Sequence, residues 1–593
     1  MSRRILFVQA VLTLVVVCAM QVFARDPHYP QNTGVFKGSS APLSPTLRFW
    51  ASDAGKRLLL HSPSPMAVPL LKWFHPEALG QYPQQPLLKR GPMSFVHRDP
   101  VTVTGCGTVS GTVMNLEPAA NAVTQSGPMV DFLLSALGSG KDLVAEYGYD
   151  GRSVYYGEFD SASVMYVHRD PTVSCYGGTD FEMGNPPIPD PFNPGNELDG
   201  VGGGRIVADP GTSTRPAQFI FADIRFDYIT SGIGLRRIPA TNFESTSTCP
   251  AGTLTSTQEA TCAGTNGIIV DASEDNIADA VSIAQDPRAT GTGAGDIYVV
   301  SPSERVLRSV ILLSACKGAF TSASDCSSPI ILNGSLDGGL PSVAVVGGGP
   351  NAGAIVISFV NEETGFQFVS CTPAGAPNPP VCANSSPIYT DSNLYTTLTD
   401  NPGLELTTWP VLAARTDTGG QTLFLAWSDC KGATAYLDGC PEAQIVMTTA
   451  TSLSSPAWTF HGITGSASHH ILPSVAYDSG QDIVTLTYYS TSGSIYKNAV
   501  LMAINQFPPG STSPGATTFI TSNYDSLQGN GSYSGYTEFG FVGIGDYVGT
   551  SAHGGSASGS SRLYVGFTNN ARQGTYSGIS NTQADNNVSR VTY

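Results

Sequence analysis

Leu340-Pro-Ser-Val-Ala-Val-Val346 is followed, after a Gly-rich turn, by Ala354-Ile-Val-Ile-Ser-Phe-Val360. Short β-branched and aromatic runs of this kind read as strands, and the glycines between them as a hairpin turn. The pair recurs as Trp409–Ala414 with Thr422–Trp427, and as Leu472–Tyr477 with Asp482–Tyr488. Looser copies are Asp131–Leu134 with Asp142–Tyr147, Gly204–Asp209 with Gln218–Asp223, Ala280–Ala284 with Asp296–Val300, and Gly545–Gly549 with Arg562–Phe567. Units starting at Asp131, Gly203, Asn276, Gly338, Thr407, His469 and Phe539 lie 62–73 residues apart, a regular period that marks a repeat architecture. A third run follows each pair, as at Ile233, Ser309, Ala443 or Lys497, and often a fourth near an aromatic such as Trp458 or Phe519. Four strands per unit are the content of a propeller blade, whose two faces are buried only by packing on neighbouring blades. The fold class expected is all-β: a single β-propeller of seven four-stranded blades, with six as the alternative, preceded by an extended N-terminal lead-in.

The seventh unit ends at Tyr593 one strand short. Upstream of the first unit, Ser94–Val103 contains His97-Arg-Asp-Pro100, which recurs one period later as His168-Arg-Asp-Pro171. Residues 93–105 are therefore expected to complete the final blade and close the ring. The connection from Tyr176 to Gly204, rich in proline, is expected to be an irregular surface loop.

Met1–Arg4 is basic, Ile5–Phe23 is apolar, and the small Ala24 precedes Arg25, the layout of an export signal. The domain reading is 1–24 signal peptide, 25–92 extended segment and 93–593 propeller, with no membrane span left after cleavage and a secreted or periplasmic destination. Of 11 cysteines, Cys18 lies in the signal. Eight fall into close pairs, Cys249/Cys262, Cys316/Cys326, Cys371/Cys382 and Cys430/Cys440, each spanning a loop of small residues and read as a local disulfide. Cys106 and Cys175 are left over and can join each other. Acidic side chains outnumber basic ones 46 to 29, for a net charge of -17, which excludes a nucleic-acid binder held by phosphate contacts.

Asn115-Leu-Glu-Pro118, Gln125–Asp131, Asp142-Leu-Val144 with Tyr149-Asp-Gly-Arg152, the repeated Pro-Ser-Val-Ala, Gly545-Asp-Tyr-Val548 and Phe567–Arg572 together resemble the secreted bacterial sialidase-like propellers, the neuraminidase or BNR/Asp-box superfamily. Ser452–Trp458 is a degenerate version of the family's box. The resemblance implies a cleft at the propeller axis, an arginine triad for a sugar carboxylate, a tyrosine nucleophile paired with a glutamate, and an aspartate acid/base. Arg237-Ile-Pro239 is similar to the family's arginine motif, but the repeat places it in a third strand, away from the axis.

First strands line a propeller axis, so polar residues at their starts and in the adjoining loops face a common cleft. The candidates for catalysis are Asp546, Tyr547 and Asp131, a carboxylate and phenol set suited to glycoside chemistry. Those for substrate binding are Arg205, His469, His470 and Asp279; as adjacent strand residues, His469 and His470 point to opposite faces. No cofactor is required, although an acidic loop with Asp180, Glu182, Asp190, Glu197 and Asp199 offers oxygen ligands that suit calcium. The function expected is a monomeric secreted propeller directed at extracellular glycans or glycoproteins, binding terminal sugars and, if active, hydrolysing them as an exo-sialidase. The alternative is a non-catalytic binding or adhesion scaffold.

Overall fold

The structure is a computed structural model; it describes Lys56 and, with gaps, residues 113–592. The chain forms a single all-β propeller. Seven sheets of four or more strands follow one another along the sequence. Their inner strands are Thr124–Leu133, Arg205–Asp209, Ser282–Gln285, Gly339–Val345, Val411–Ala414, His470–Asp478 and Gly549–His553. Each inner strand contacts the next, and the seventh contacts the first, so the ring is closed.

The expected order of strands within a blade holds throughout. In the fifth blade, for example, Val411–Ala414 pairs with Leu423–Cys430, which pairs with Ala443–Ala450 and then Thr459–Gly462, all antiparallel. The two-residue alternation of strands explains how blades cohere. Leu412, Ala414, Leu425 and Trp427 pack with Val356, Val360 and Phe366 of the fourth blade. The intervening Ala413, Phe424 and Ala426 pack with Val475, Leu486 and Tyr488 of the sixth. Both faces are thus buried, which is why these strands read as almost continuous apolar runs.

The ring closes with a strand from the N-terminal side of the chain, later in sequence than the expected 93–105. The outer strand of the seventh blade is Val113–Asn115, from the N-terminal side, paired with Ile579–Thr592. Residues 93–105, the signal 1–24 and, apart from Lys56, the segment 25–92 lie outside the described residues. Phe132 and Tyr564 meet edge to face across the closure, and the Tyr564 hydroxyl donates to Asp142 at 2.9 Å.

One expectation is corrected. The stretch Tyr176–Gly204 is not an irregular loop throughout. Phe181–Gly184 is the fourth strand of the first blade, and Ile188–Pro189 pairs with Glu197–Gly200, which in turn pairs with Arg225 and Phe226 of the second blade. Strands of two to four residues carry too little periodicity to be seen among prolines. They persist because Ile188 and Leu198 are buried against Ile269.

All four local disulfides are formed, at Cys249–Cys262, Cys316–Cys326, Cys371–Cys382 and Cys430–Cys440. Cys106 and Cys175 lie outside the described residues. Among the described residues, no helix is long and apolar enough to cross a membrane.

Candidate functional site

The inner strands converge on an axial cavity of about 210 Å³ to which all seven contribute. Asp131 comes from the first blade, Arg205 from the second, Ser282 from the third and Ser342 from the fourth. Val411, Ser474 and the Thr550–Ser551 pair complete the circuit.

Local backbone geometry aims the serines. Ala280, Leu340 and Leu472, each two residues before a cavity serine, have φ of 27°, 47° and 52°. L-residues avoid this left-handed region, so it is held there by its surroundings. The strand register shifts between Gly339 and Ser342, and again between Ile471 and Ser474. A bulge of this kind bends the strand and re-aims the side chain that follows it.

The hydroxyls are then fixed by the next blade. Ser282 Oγ accepts the Val343 N–H at 3.2 Å, and Ser342 Oγ accepts the Leu412 N–H at 3.0 Å. In the first blade Asp131 makes a link of the same kind, its Oδ2 accepting the Ala208 N–H of the second blade at 2.7 Å. Its other oxygen accepts the Phe132 N–H at 2.8 Å, the Ser551 hydroxyl and His553 Nε2 at 2.8 Å. Asp131 therefore ties the seventh, first and second blades together while presenting a carboxylate to the cavity.

His553, partly buried, lies edge-on to Phe132. Burial pulls its imidazole pKa down, but the Asp131 charge and hydrogen bond, with Asp478 and Asp142 further away, raise it above its ordinary value.

Of the residues singled out from sequence, Asp131 and Arg205 come together in the cavity lining. His469 and His470 are buried at the start of the sixth blade, and neither is among the lining residues. His469 Nδ1 accepts the Ala443 N–H at 3.1 Å, tying the fifth blade to the sixth. The His470 ring stands edge-on to Tyr488 at 5.4 Å. Burial, reinforced by His469 and opposed by Glu442, lowers the His470 pKa to about 4, so it is neutral at physiological pH. Asp279, Asp546 and Tyr547 lie outside the described residues.

Arg237 lies in the third strand of the second blade, as expected, and donates to Phe320 O at 2.5 Å in the neighbouring blade. In the acidic loop, Asp180 contacts His168 and accepts the Arg169 N–H, while Asp190 accepts the Phe192 N–H and the Thr230 hydroxyl. Among the described residues, no three His, Cys, Asp or Glu side chains converge as metal ligands.

Sequence reasoning missed the serine ring and His553. The signal was present in the repeated Pro341-Ser342-Val343-Ala344 and Pro473-Ser474-Val475-Ala476. Polar residues recurring mid-strand at one blade position have to face the axis.

No protein-family model matches the chain, and no curated protein does. Solved structures similar to it include a leech intramolecular trans-sialidase, 9% identical, covering 84% of this chain and 70% of that one, with a TM-score of 0.33. The intramolecular trans-sialidase of Ruminococcus gnavus is 10% identical, covering 85% and 98%, at a TM-score of 0.32. The Dos1 propeller is 7% identical, covering 80% and 95%, at 0.35. The propeller assignment itself rests on the strand order and the closed ring of inner strands.

Proposed function

We propose that this protein is a secreted glycan-directed propeller whose axial cavity receives a terminal sugar. The observation that carries this reading is the mixed polarity of the ring. Ser282 and Ser342 already use their oxygens as acceptors, so their hydroxyl protons are free to be donated elsewhere. Arg205 adds donors and Asp131 an acceptor. Donors and acceptors alternating with apolar neighbours such as Val411 and Leu472 match the hydroxyls and C–H faces of a sugar ring. A volume of about 210 Å³ is below the roughly 300–1,000 Å³ of sites for drug-sized ligands, which favours one sugar unit over a chain.

Hydrolysis is the stronger form of the proposal. In it, Asp546 and Tyr547, just before the inner strand Gly549–His553 in sequence, supply the acid/base and nucleophilic groups. A binding scaffold without turnover is the weaker form.

The test is a glycan-binding array together with a panel of chromogenic glycosides that includes a sialoside, using the oxidised chain from Arg25 onward. Binding that falls at least tenfold in Arg205→Met, with Tm unchanged, supports the axial site. Turnover that disappears in Asp546→Asn supports the hydrolytic form. A folded sample that neither binds nor cleaves any glycan removes the proposal.

A further inference from the structure

The carboxylate that Asp131 presents to the axial cavity is held by donors from three blades. Oδ1 accepts the Phe132 N–H of its own blade, and from the seventh blade the Ser551 hydroxyl and His553 Nε2. Oδ2 accepts the Ala208 N–H of the second blade. Two of these donors are backbone amides and one is a hydroxyl, so three are uncharged. Only His553, in this set, can change its charge near neutral pH. The alternation of the inner strand Gly549–His553 puts Ser551 and His553 on one face. Ser551 lines the cavity, and His553 follows it at the hairpin end, in register with Arg562.

Charged groups act on His553 from each neighbouring blade. From the first blade come Asp131, in hydrogen-bond contact at 2.8 Å, and Asp142 at the start of the second strand. Asp142 is itself engaged by the Tyr564 hydroxyl at 2.9 Å and by Arg562 Nε at 3.8 Å. From the sixth blade comes Asp478, whose Oδ1 accepts the Gly480 N–H, while its buried Oδ2 has no hydrogen-bond partner among the described residues. The sequence of the turn after His553, 554–561, contains only Gly, Ala and Ser, and that of the turn before Asp142 adds one charge, Lys141. Burial lowers the His553 pKa, but the charge and hydrogen bond of Asp131, followed by the charges of Asp478 and Asp142, outweigh it and raise the value above the ordinary one.

We propose that protonated His553 is a positioning residue of the axial cavity, fixing the Asp131 carboxylate between the seventh, first and second blades until the imidazole gives up its proton. A neutral imidazole still donates from one nitrogen, but a charge-assisted bond to a carboxylate is roughly twice as strong. With the cation gone, Asp131 also meets the charges of Asp478 and Asp142 without its positive partner. The carboxylate is then held less firmly, and the Ala208 N–H, which depends on Oδ2, opens more often. Because the folded value lies above the ordinary histidine pKa of about 6.5, the link is complete below that pH and is lost as pH rises through the raised value. The link stands whatever the cavity binds; a matching fall in sugar affinity at high pH rests on the glycan reading.

The test uses the full oxidised mature chain without ligand. Amide hydrogen exchange is followed from pH 5.5 to 9.5, each rate divided by that of an unstructured amide at the same pH, with the His553 titration read by histidine NMR. The Ala208 amide is expected to lose about fivefold in protection as His553 titrates. The Val343 amide, held in a similar way by the uncharged Ser282 Oγ, is expected to show no such step. His553→Gln, whose amide donates without charge, is expected to show the lower Ala208 protection at every pH. A merely structural histidine would change Tm in this variant and leave the pH profile as in wild type, which overturns the proposal. A His553 titration no higher than that of a free histidine, or Ala208 protection indifferent to it, overturns it as well. Should His553→Gln not fold, the wild-type comparison of Ala208 with Val343 decides the matter. A chain that passes but binds no glycan removes the glycan reading and leaves the link.

Discussion

Glu146 lies in the second strand of the first blade, fully buried, and among the described residues neither of its carboxyl oxygens has a hydrogen-bond partner. Its register partners Val130 and Tyr166 belong to the apolar cluster with Tyr564 and Val588 at the junction that closes the ring. Burial alone pushes its pKa well above the ordinary carboxyl value, so the folded chain keeps a proton there. Above the ordinary glutamate pKa, about 4.3, the unfolded chain gives that proton up, so stability falls as pH rises from there toward the raised folded value. Glu146→Met is therefore expected to stabilise the protein by on the order of 1–3 kcal/mol at pH 7.5 and to show little of that gain at pH 4 in urea unfolding. An equal gain at both pH values would assign the effect to packing instead of ionisation. Nothing in Leu143-Val-Ala-Glu-Tyr147 distinguishes this glutamate from a solvated one, because its burial depends on the seventh blade packing over it, far away in sequence.

At the scale of elements, the hairpins between inner and second strands repeat one device. Asp209, Asp286 and Asp478, at or just after the ends of inner strands, accept the N–H two residues on, at Gly211, Arg288 and Gly480. Arginines then clamp these turns to their neighbours. Arg288 forks onto Asp286 and donates from Nη1 to Ala352 O of the fourth blade at 2.8 Å, and Arg415 bridges to Asp482 of the sixth. Gly353, at φ 88°, leaves the space, since a Cβ there would come within 2.0 Å of Arg288 Nη2. Gly353→Ala is expected to cost about 2–4 kcal/mol in urea unfolding, and only the backbone share, about 1–2 kcal/mol, once Arg288→Ala removes the clamp. The same cost in both backgrounds would show that the arginine does not matter to this turn. The glycines were legible as turns, but the reason for glycine at 353 is a side chain on the preceding blade.

At the scale of the whole molecule, stability depends on a ring whose last sheet is completed from both ends of the described chain. Removal of the chain up to and including Val113–Asn115 would leave Ile579–Thr592 as an unpaired edge. Such edges recruit other strands. The shortened chain is expected to unfold several degrees lower and to scatter light at concentrations where the intact protein is clear, and unchanged Tm and scattering would show that closure does not rest on this strand. The propeller was readable in the sequence because each blade buries both faces, so period-two packing leaves apolar runs and turns at a regular spacing. The four local disulfides were readable because they close short loops. The axial site was readable only in part: Asp131 and Arg205 were recognised by their place in inner strands, whereas the serine ring and His553 were not. Strand periodicity is a property of neighbouring residues, and local sequence determines it. A site formed by seven separate blades, or a charge buried by the packing of one blade on another, depends on distances between residues far apart in the chain, which the closed ring alone decides.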